Sequence, residues 1–262
     1  MLGAIIGDIV GSRFEWANIK SKRFKFFGKQ SRFTDDTVMT VALADALLKA
    51  GTDLDLLHDT AVSSMQVFGR AYSRAGYGGL FRKWLRSKSP KPYNSFGNGS
   101  AMRVSACAYV GNSLEEVLAL ATTVTDVTHN HPDGIAGALA TAGATYMART
   151  GASKDEIRQY VSENYYALDF TLDEIRPTYS FKSSCAETVP QAVVAFLEST
   201  DFEDAIRNAI SIGGDSDTLG AITGAIAEAY YGIPEDIQEA GLSHLDRPLI
   251  SIYSLFKERY IK

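Results

Sequence analysis

Cysteine is scarce in this chain: only Cys107 and Cys185 in 262 residues, neither with a second Cys or a His at zinc-finger spacing. That excludes a disulfide framework and makes a reducing compartment, the cytoplasm, the expected location. No apolar run reaches membrane-spanning length. The opening stretch Met1 to Asp8 is apolar, but it has no basic flank and meets a charge at Asp8, so it does not read as a signal peptide. There is no excess of positive charge either. The net charge of −5 gives no overall argument for nucleic acid or an anionic membrane as a partner. Period-two alternation, internal repeats and low-complexity tracts are all missing, which removes the usual signatures of sheets and solenoids.

What is there is helical periodicity. Hydrophobic residues make up 45% and charged residues 22%, ordinary values for a globular protein with a sizeable core. Amphipathic segments follow one another along the chain and predict an all-α fold of about a dozen helices, in one domain over residues 1–262. In the first helix, expected from residue 2 to about 15, Gly3, Gly7 and Gly11 recur every four residues. Glycine weakens a helix, so three in register predict close packing against another backbone. Asp8, Ser12 and Glu15 fall at i, i+4 and i+7 on a second face, where the simplest reading is an exposed polar stripe.

Two short acidic motifs stand out. Gly213-Gly214-Asp215-Ser216-Asp217-Thr218 precedes a run of small and apolar residues, and the glycine pair suits positive φ and a close approach to a ligand. Thr34-Asp35-Asp36-Thr37 opens a strongly amphipathic helix. A helix N-cap and the positive end of the dipole account for one acid at each start. They account less well for four carboxylates, because converging helix N-termini of this kind repel one another unless a cation lies between them. Oxygen-only ligands suit a hard divalent ion.

Asn94-Ser95-Phe96-Gly97-Asn98-Gly99-Ser100 combines glycines, hydroxyls and a following helix start, the elements of a phosphate cradle, although its spacing is not that of a P-loop. His129 and His131 flank Asn130 without a third soft ligand, so hydrogen bonding or phosphate contact is expected of one, and a structural role fits the other. Residues 17–33 interleave basic residues with Phe24, Phe26, Phe27 and Phe33. Such a run either stacks on single-stranded nucleic acid or forms a solvated loop with its aromatics tucked down; without overall basic charge the second reading is favoured.

In this order, Gly7-Asp8-Ile9-Val10-Gly11 with Glu15, Thr34-Asp35-Asp36-Thr37, Gly97-Asn98-Gly99-Ser100-Ala101-Met102-Arg103, Thr128-His129 with Pro132, and the hexapeptide at 213–218 resemble the ADP-ribosylglycohydrolase family over nearly the whole chain. The resemblance implies an all-α hydrolase that separates ADP-ribose from a modified acceptor with two Mg²⁺ (sometimes Mn²⁺). It implies metal ligation by Thr34, Asp35, Asp36, Asp215, Asp217 and Thr218. It also implies diphosphate contact by Ser95, Gly97, Asn98 and His129, and stacking of adenine on Phe96. Asp36 and Glu15 are both candidates for the acid/base role. The expected partner is an ADP-ribosylated protein, modified on arginine; ADP-ribosyl-serine, O-acetyl-ADP-ribose and ADP-ribosylated nucleic acid are the other acceptors. A catalytically silent ADP-ribose-binding or structural protein is the alternative of another class, against which the intact acidic motifs argue.

Overall fold

The computed structural model describes residues 1–261, and within them the chain is helical. In order the helices are α1 (Leu2–Gly11), α2 (Asp35–Ala50), α3 (Leu54–Ala71) and α4 (Gly79–Arg86), then a 3₁₀ segment at Asn98–Ala106. There follow α5 (Cys107–Val110), α6 (Leu114–Asp126), α7 (Pro132–Arg149), α8 (Lys154–Asn164) and α9 (Leu172–Ile175). A short 3₁₀ turn at Cys185–Glu187 leads to α10 (Val189–Leu197), α11 (Phe202–Ser211), α12 (Ser216–Tyr231), α13 (Glu235–Leu242) and α14 (Arg247–Tyr260). Among the described residues the only extended pairing is an isolated antiparallel bridge between Gly97 and Ser184.

The centre of the fold is the pairing of α1 with α12. Every residue of α1 is buried, and so is α12 from Ser216 to Ala227. A helix apolar on all sides must be enclosed on all sides. The glycine stripe makes the enclosure tight. Gly3, Gly7 and Gly11 lie directly against the backbone of Gly224, Gly220 and Ser216, and a Cβ on Gly220 would sit 2.5 Å from the Gly7 carbonyl oxygen. The predicted backbone-to-backbone contact is therefore present, and α12 supplies the partner.

α1 ends earlier than its periodicity predicts, at Gly11 rather than near residue 15. The cause is Asn18. Its amide donates to the carbonyls of Phe14 (2.6 Å) and Glu15 (3.0 Å) and also to that of Gly214 (2.8 Å), while its own oxygen accepts from Gly214 N–H at 2.8 Å. The chain after Gly11 is thus folded back onto the turn before α12. The basic run that follows is held the same way. Arg207 donates to the carbonyls of Lys22 and Phe24, both at 2.8 Å, and Lys22 pairs with Asp204. Phe24 is sandwiched between Phe14 and Arg207. Phe24, Phe26, Phe27 and Phe33 are partly buried against the core, the tucked-down arrangement favoured above.

Replacing Gly7 by Ala adds helix propensity worth about 1 kcal/mol, yet places a methyl group inside the α1–α12 contact. We expect net destabilisation of about 1–3 kcal/mol in denaturant unfolding. Gly79, a helical glycine whose Cβ would meet nothing within 4 Å, is the control: Gly79→Ala is expected to be neutral or stabilising. Equal effects at both positions would contradict the close-packing account.

Candidate active site

The helix starts of α2 and α12, the turn holding Glu15 and the loop around Gly97 line one cavity of about 470 Å³, a size suited to a nucleotide-scale ligand. Glu15, Asp35, Asp36, Asp215, Asp217 and Thr218 are its acidic lining; Ser95, Gly97, Asn98, Gly99 and His129 are an uncharged second group in the same lining. The acidic and glycine-rich motifs, distant in the chain, thus meet at one cavity.

Each acid is placed by a local device. Thr34 is the N-cap of α2, accepting from the Asp36 N–H at 3.3 Å, as capping predicts. This leaves Asp36 almost fully buried, with Oδ1 lacking any hydrogen-bond partner. Asp35 lies against Gly76, whose missing side chain would strike the carboxylate. Gly213 and Gly214 both take positive φ, 73° and 80°, turning the chain sharply into α12. Asp215 then stands at the N-cap position of α12 but makes no capping hydrogen bond. Its Oδ2 instead accepts from the Asn98 amide at 2.8 Å. A purely capping role therefore does not describe it. Asp217, one residue into the helix, accepts from the Thr218 N–H at 3.0 Å.

Two residues missed at the sequence level organise this acidic lining. Asp8, placed by its spacing on a polar stripe and part of a family motif but given no role of its own, is fully buried and accepts from the backbone N–H and hydroxyl of both Thr34 and Thr37. It fastens α1 to the start of α2. Asn18, described above, swings Glu15 off the α1 surface toward α12. Glu15 then offers a carboxylate oxygen lying within 4.8 Å of oxygens from Asp215 and Asp217.

Every one of these acids is shifted upward. Burial is the largest cause throughout. It lifts Asp8 to about 6 despite its four hydrogen bonds, and Asp215 to about 6 against the hydrogen bond from Asn98. Glu15 rises to about 7, helped by the charge of Asp217 and opposed by Arg32; Asp35 rises to about 8, with Asp217 and Asp8 adding to burial. Asp36 and Asp217 are held well above the usual carboxylate range by burial and by their acidic neighbours. An all-oxygen donor set, an orphaned buried Asp36 oxygen and mutual repulsion together fit a hard divalent cation among these acids.

Two residues expected at the ligand also make contacts within the fold. Asn98 commits its amide to Asp215 and, at 3.2 Å, to the Thr188 hydroxyl, so it joins the two groups rather than only facing a ligand. Phe96 lies outside the cavity lining, 54% exposed, with its ring edge against His131. His131 itself caps α7 by accepting from the Asp133 N–H at 3.1 Å, the structural member of the histidine pair. His129 is buried, and burial together with the Arg103 charge pushes its pKa well below the ordinary value, leaving the ring neutral. At the cavity mouth Trp16, 79% exposed, stacks on Phe181 with centroids 5.1 Å apart. No sequence signal links these two residues, which lie far apart in the chain.

The raised pKa values fix the sign of a pH effect. Between about pH 4 and 8 the folded, metal-free protein binds more protons than the unfolded chain. Its stability is fully present below the unfolded carboxylate pKa and is lost as pH rises through the folded values. A bound cation relieves the repulsion, so stabilisation of the melting temperature by Mg²⁺ is expected to be larger at pH 8 than at pH 5. Asp217→Asn, which keeps any cap, is expected to raise metal-free stability at pH 8 by about 1 kcal/mol and to weaken Mg²⁺ binding. A Mg²⁺ effect independent of pH would contradict this electrostatic picture.

Comparison with known proteins identifies the family. The profile of the ADP-ribosylglycohydrolase family matches residues 1–259. The chain is 27% identical to mouse (Mus musculus) ADP-ribosylhydrolase ARH3, over 98% of its own length and 91% of that protein. It is 29% identical to the ADP-ribosyl-[dinitrogen reductase] glycohydrolase of Rhodospirillum rubrum, over 94% and 88%. A solved structure described as an ADP-ribosylglycohydrolase-related protein complex shares the fold, with a TM-score of 0.69 at 24% identity, over 97% of this chain and 94% of that one. A helical scaffold that gathers this many acids beside a glycine-rich loop, matched by the family profile from end to end, is a hydrolase acting on glycosyl compounds, and the chain belongs to the ADP-ribosylglycohydrolase family.

Proposed function

We propose that this enzyme hydrolyses the glycosidic bond between ADP-ribose and a modified acceptor, foremost an arginine side chain on a protein, in a reaction that depends on two Mg²⁺ ions, with Mn²⁺ able to replace them. The observation that carries the reading is one cavity lined by two chemically different groups: crowded carboxylates and an uncharged donor-rich loop. Thr34, Asp35, Asp36, Asp215, Asp217 and Thr218 are the residues to hold the ions, and Glu15 stands within ligand reach of the same site. When bound, the metal supplies polarisation of water and orientation of the ribose hydroxyls.

The chain's own residues divide the remaining work. Ser95, Gly97, Asn98 and His129 take the diphosphate, with Phe96 on the adenine side. Hydrolysis joins the water oxygen to the anomeric carbon and returns a proton to the leaving acceptor nitrogen. The carbon passes through oxocarbenium character, which a nearby carboxylate stabilises. Glu15, half-buried at the mouth beside Trp16, can exchange protons with solvent; Asp36, buried, is suited to opposing the positive charge. These are the two acid/base candidates, and their burial favours Glu15 for proton transfer. The exposed Trp16–Phe181 stack supports a guanidinium as acceptor, because a planar cation gains from an aromatic face beside an acidic mouth.

The test is release of free ADP-ribose from arginine-, serine- and nucleic-acid-linked substrates, with and without Mg²⁺. We expect turnover on the arginine linkage, abolished by EDTA and restored by Mg²⁺ or Mn²⁺ but poorly by Zn²⁺. Full turnover in rigorously metal-free enzyme would overturn the metal dependence. Release from serine but not arginine would overturn the acceptor.

A further inference from the structure

Arg103 is 1% exposed, and among the described residues no carboxylate pairs with it. Its Nε has no hydrogen-bond partner, and its guanidinium lies 5.8 Å from the centre of the Phe81 ring. Burying a cation without a counter-ion costs several kcal/mol, which a helical scaffold has no packing reason to bear. It lines the candidate cavity, where the charge of Asp35 acts on it at a distance, and its one hydrogen bond goes to a neighbouring loop. Nη2 donates to the Thr128 hydroxyl at 2.7 Å. A guanidinium can only donate, so that hydroxyl oxygen must accept, and its single proton goes elsewhere. The choices are the Thr125 carbonyl at 3.5 Å and His129 Nδ1 at 2.7 Å. Length decides for His129. Nδ1 is then an acceptor, and in a neutral imidazole the one proton sits on Nε2.

Nε2 faces the cavity side of the ring. A Cβ on Gly97 or Gly99 would lie 3.7 or 3.6 Å from it, so the two glycines keep its approach open, while the Tyr93 ring packs at 6.1 Å. We propose that Arg103 is a positioning residue: through the Thr128 hydroxyl it locks His129 in the Nε2–H tautomer, so that the ring always presents a donor to an anionic oxygen in the Gly97–Gly99 turn. The anion is the diphosphate of the substrate, and to that extent the inference rests on the function proposed above. Without the lock, Thr128 can rotate and His129 can present a lone pair, which repels a phosphate oxygen.

The chain has four histidines, so ¹⁵N-histidine labelling resolves each ring, and His129→Gln assigns the one in question. In the free wild-type protein near neutral pH we expect an unprotonated Nδ1 and a protonated Nε2. Thr128→Ser should keep this pattern; Thr128→Val and Arg103→Met should mix or reverse it. Calorimetric affinity for ADP-ribose should fall about tenfold or more in the last two and stay within about twofold in Thr128→Ser. Thr128→Val carries the test if Arg103→Met fails to fold. A protonated Nδ1 in the wild type, or a wild-type pattern in Thr128→Val, would overturn the lock. A wild-type protein with the expected tautomer and no affinity for ADP-ribose would instead count against the proposed function.

Discussion

Like-charge repulsion at one end of the α1–α12 pair is the constraint on which the rest of this structure depends. Asp8, Asp36, Asp215 and Asp217 are all buried in the same region, with Asp35 and Glu15 at its edge. Two helix N-termini lower the cost through their dipoles, and Asp8 receives four donors from Thr34 and Thr37. Those devices do not extend to Asp36, whose Oδ1 is left with nothing. The scaffold must therefore be rigid enough to hold acids together that would otherwise push apart. The glycine-lined backbone contact between α1 and α12 supplies that rigidity, because interpenetrating backbones leave no slack to relax into.

The two groups lining the cavity are mechanically joined. Asn98 donates to Asp215, and the loop bearing it is stitched to residues 183–185 by the Asn98 N–H to Ser183 carbonyl bond at 2.8 Å and the Cys185 N–H to Phe96 carbonyl bond at 3.0 Å. On the function proposed above, this connection keeps a diphosphate at the glycine-rich loop in register with the carboxylates, and orientation of the reacting centre carries much of the rate.

Much of this was legible in the sequence because it is encoded locally. The glycine stripe, the positive-φ pair before Asp215 and the Thr34 cap each depend on residues close together in the chain. What escaped was non-local. Periodicity put Asp8 and Glu15 on one exposed stripe, whereas α1 stops at Gly11 and Asn18 draws Glu15 to Gly214, across the fold. Capping propensity could not show that Asp215 occupies the cap position without capping, since that depends on Asn98. Arg103 stood in full view within a recognised motif, but its burial without a directly paired carboxylate is visible only in the fold. The four-residue α9 is too short to show a period.

The central claim is that the acidic lining exists to hold divalent cations. Anomalous diffraction from crystals soaked in Mn²⁺ tests it most directly, since it locates the ions without reference to turnover. The account predicts two Mn²⁺ peaks at the carboxylates of Asp35, Asp36, Asp215 and Asp217, both diminished in Asp217→Asn crystals. No peak at these residues at saturating Mn²⁺, or peaks only elsewhere on the surface, would contradict it.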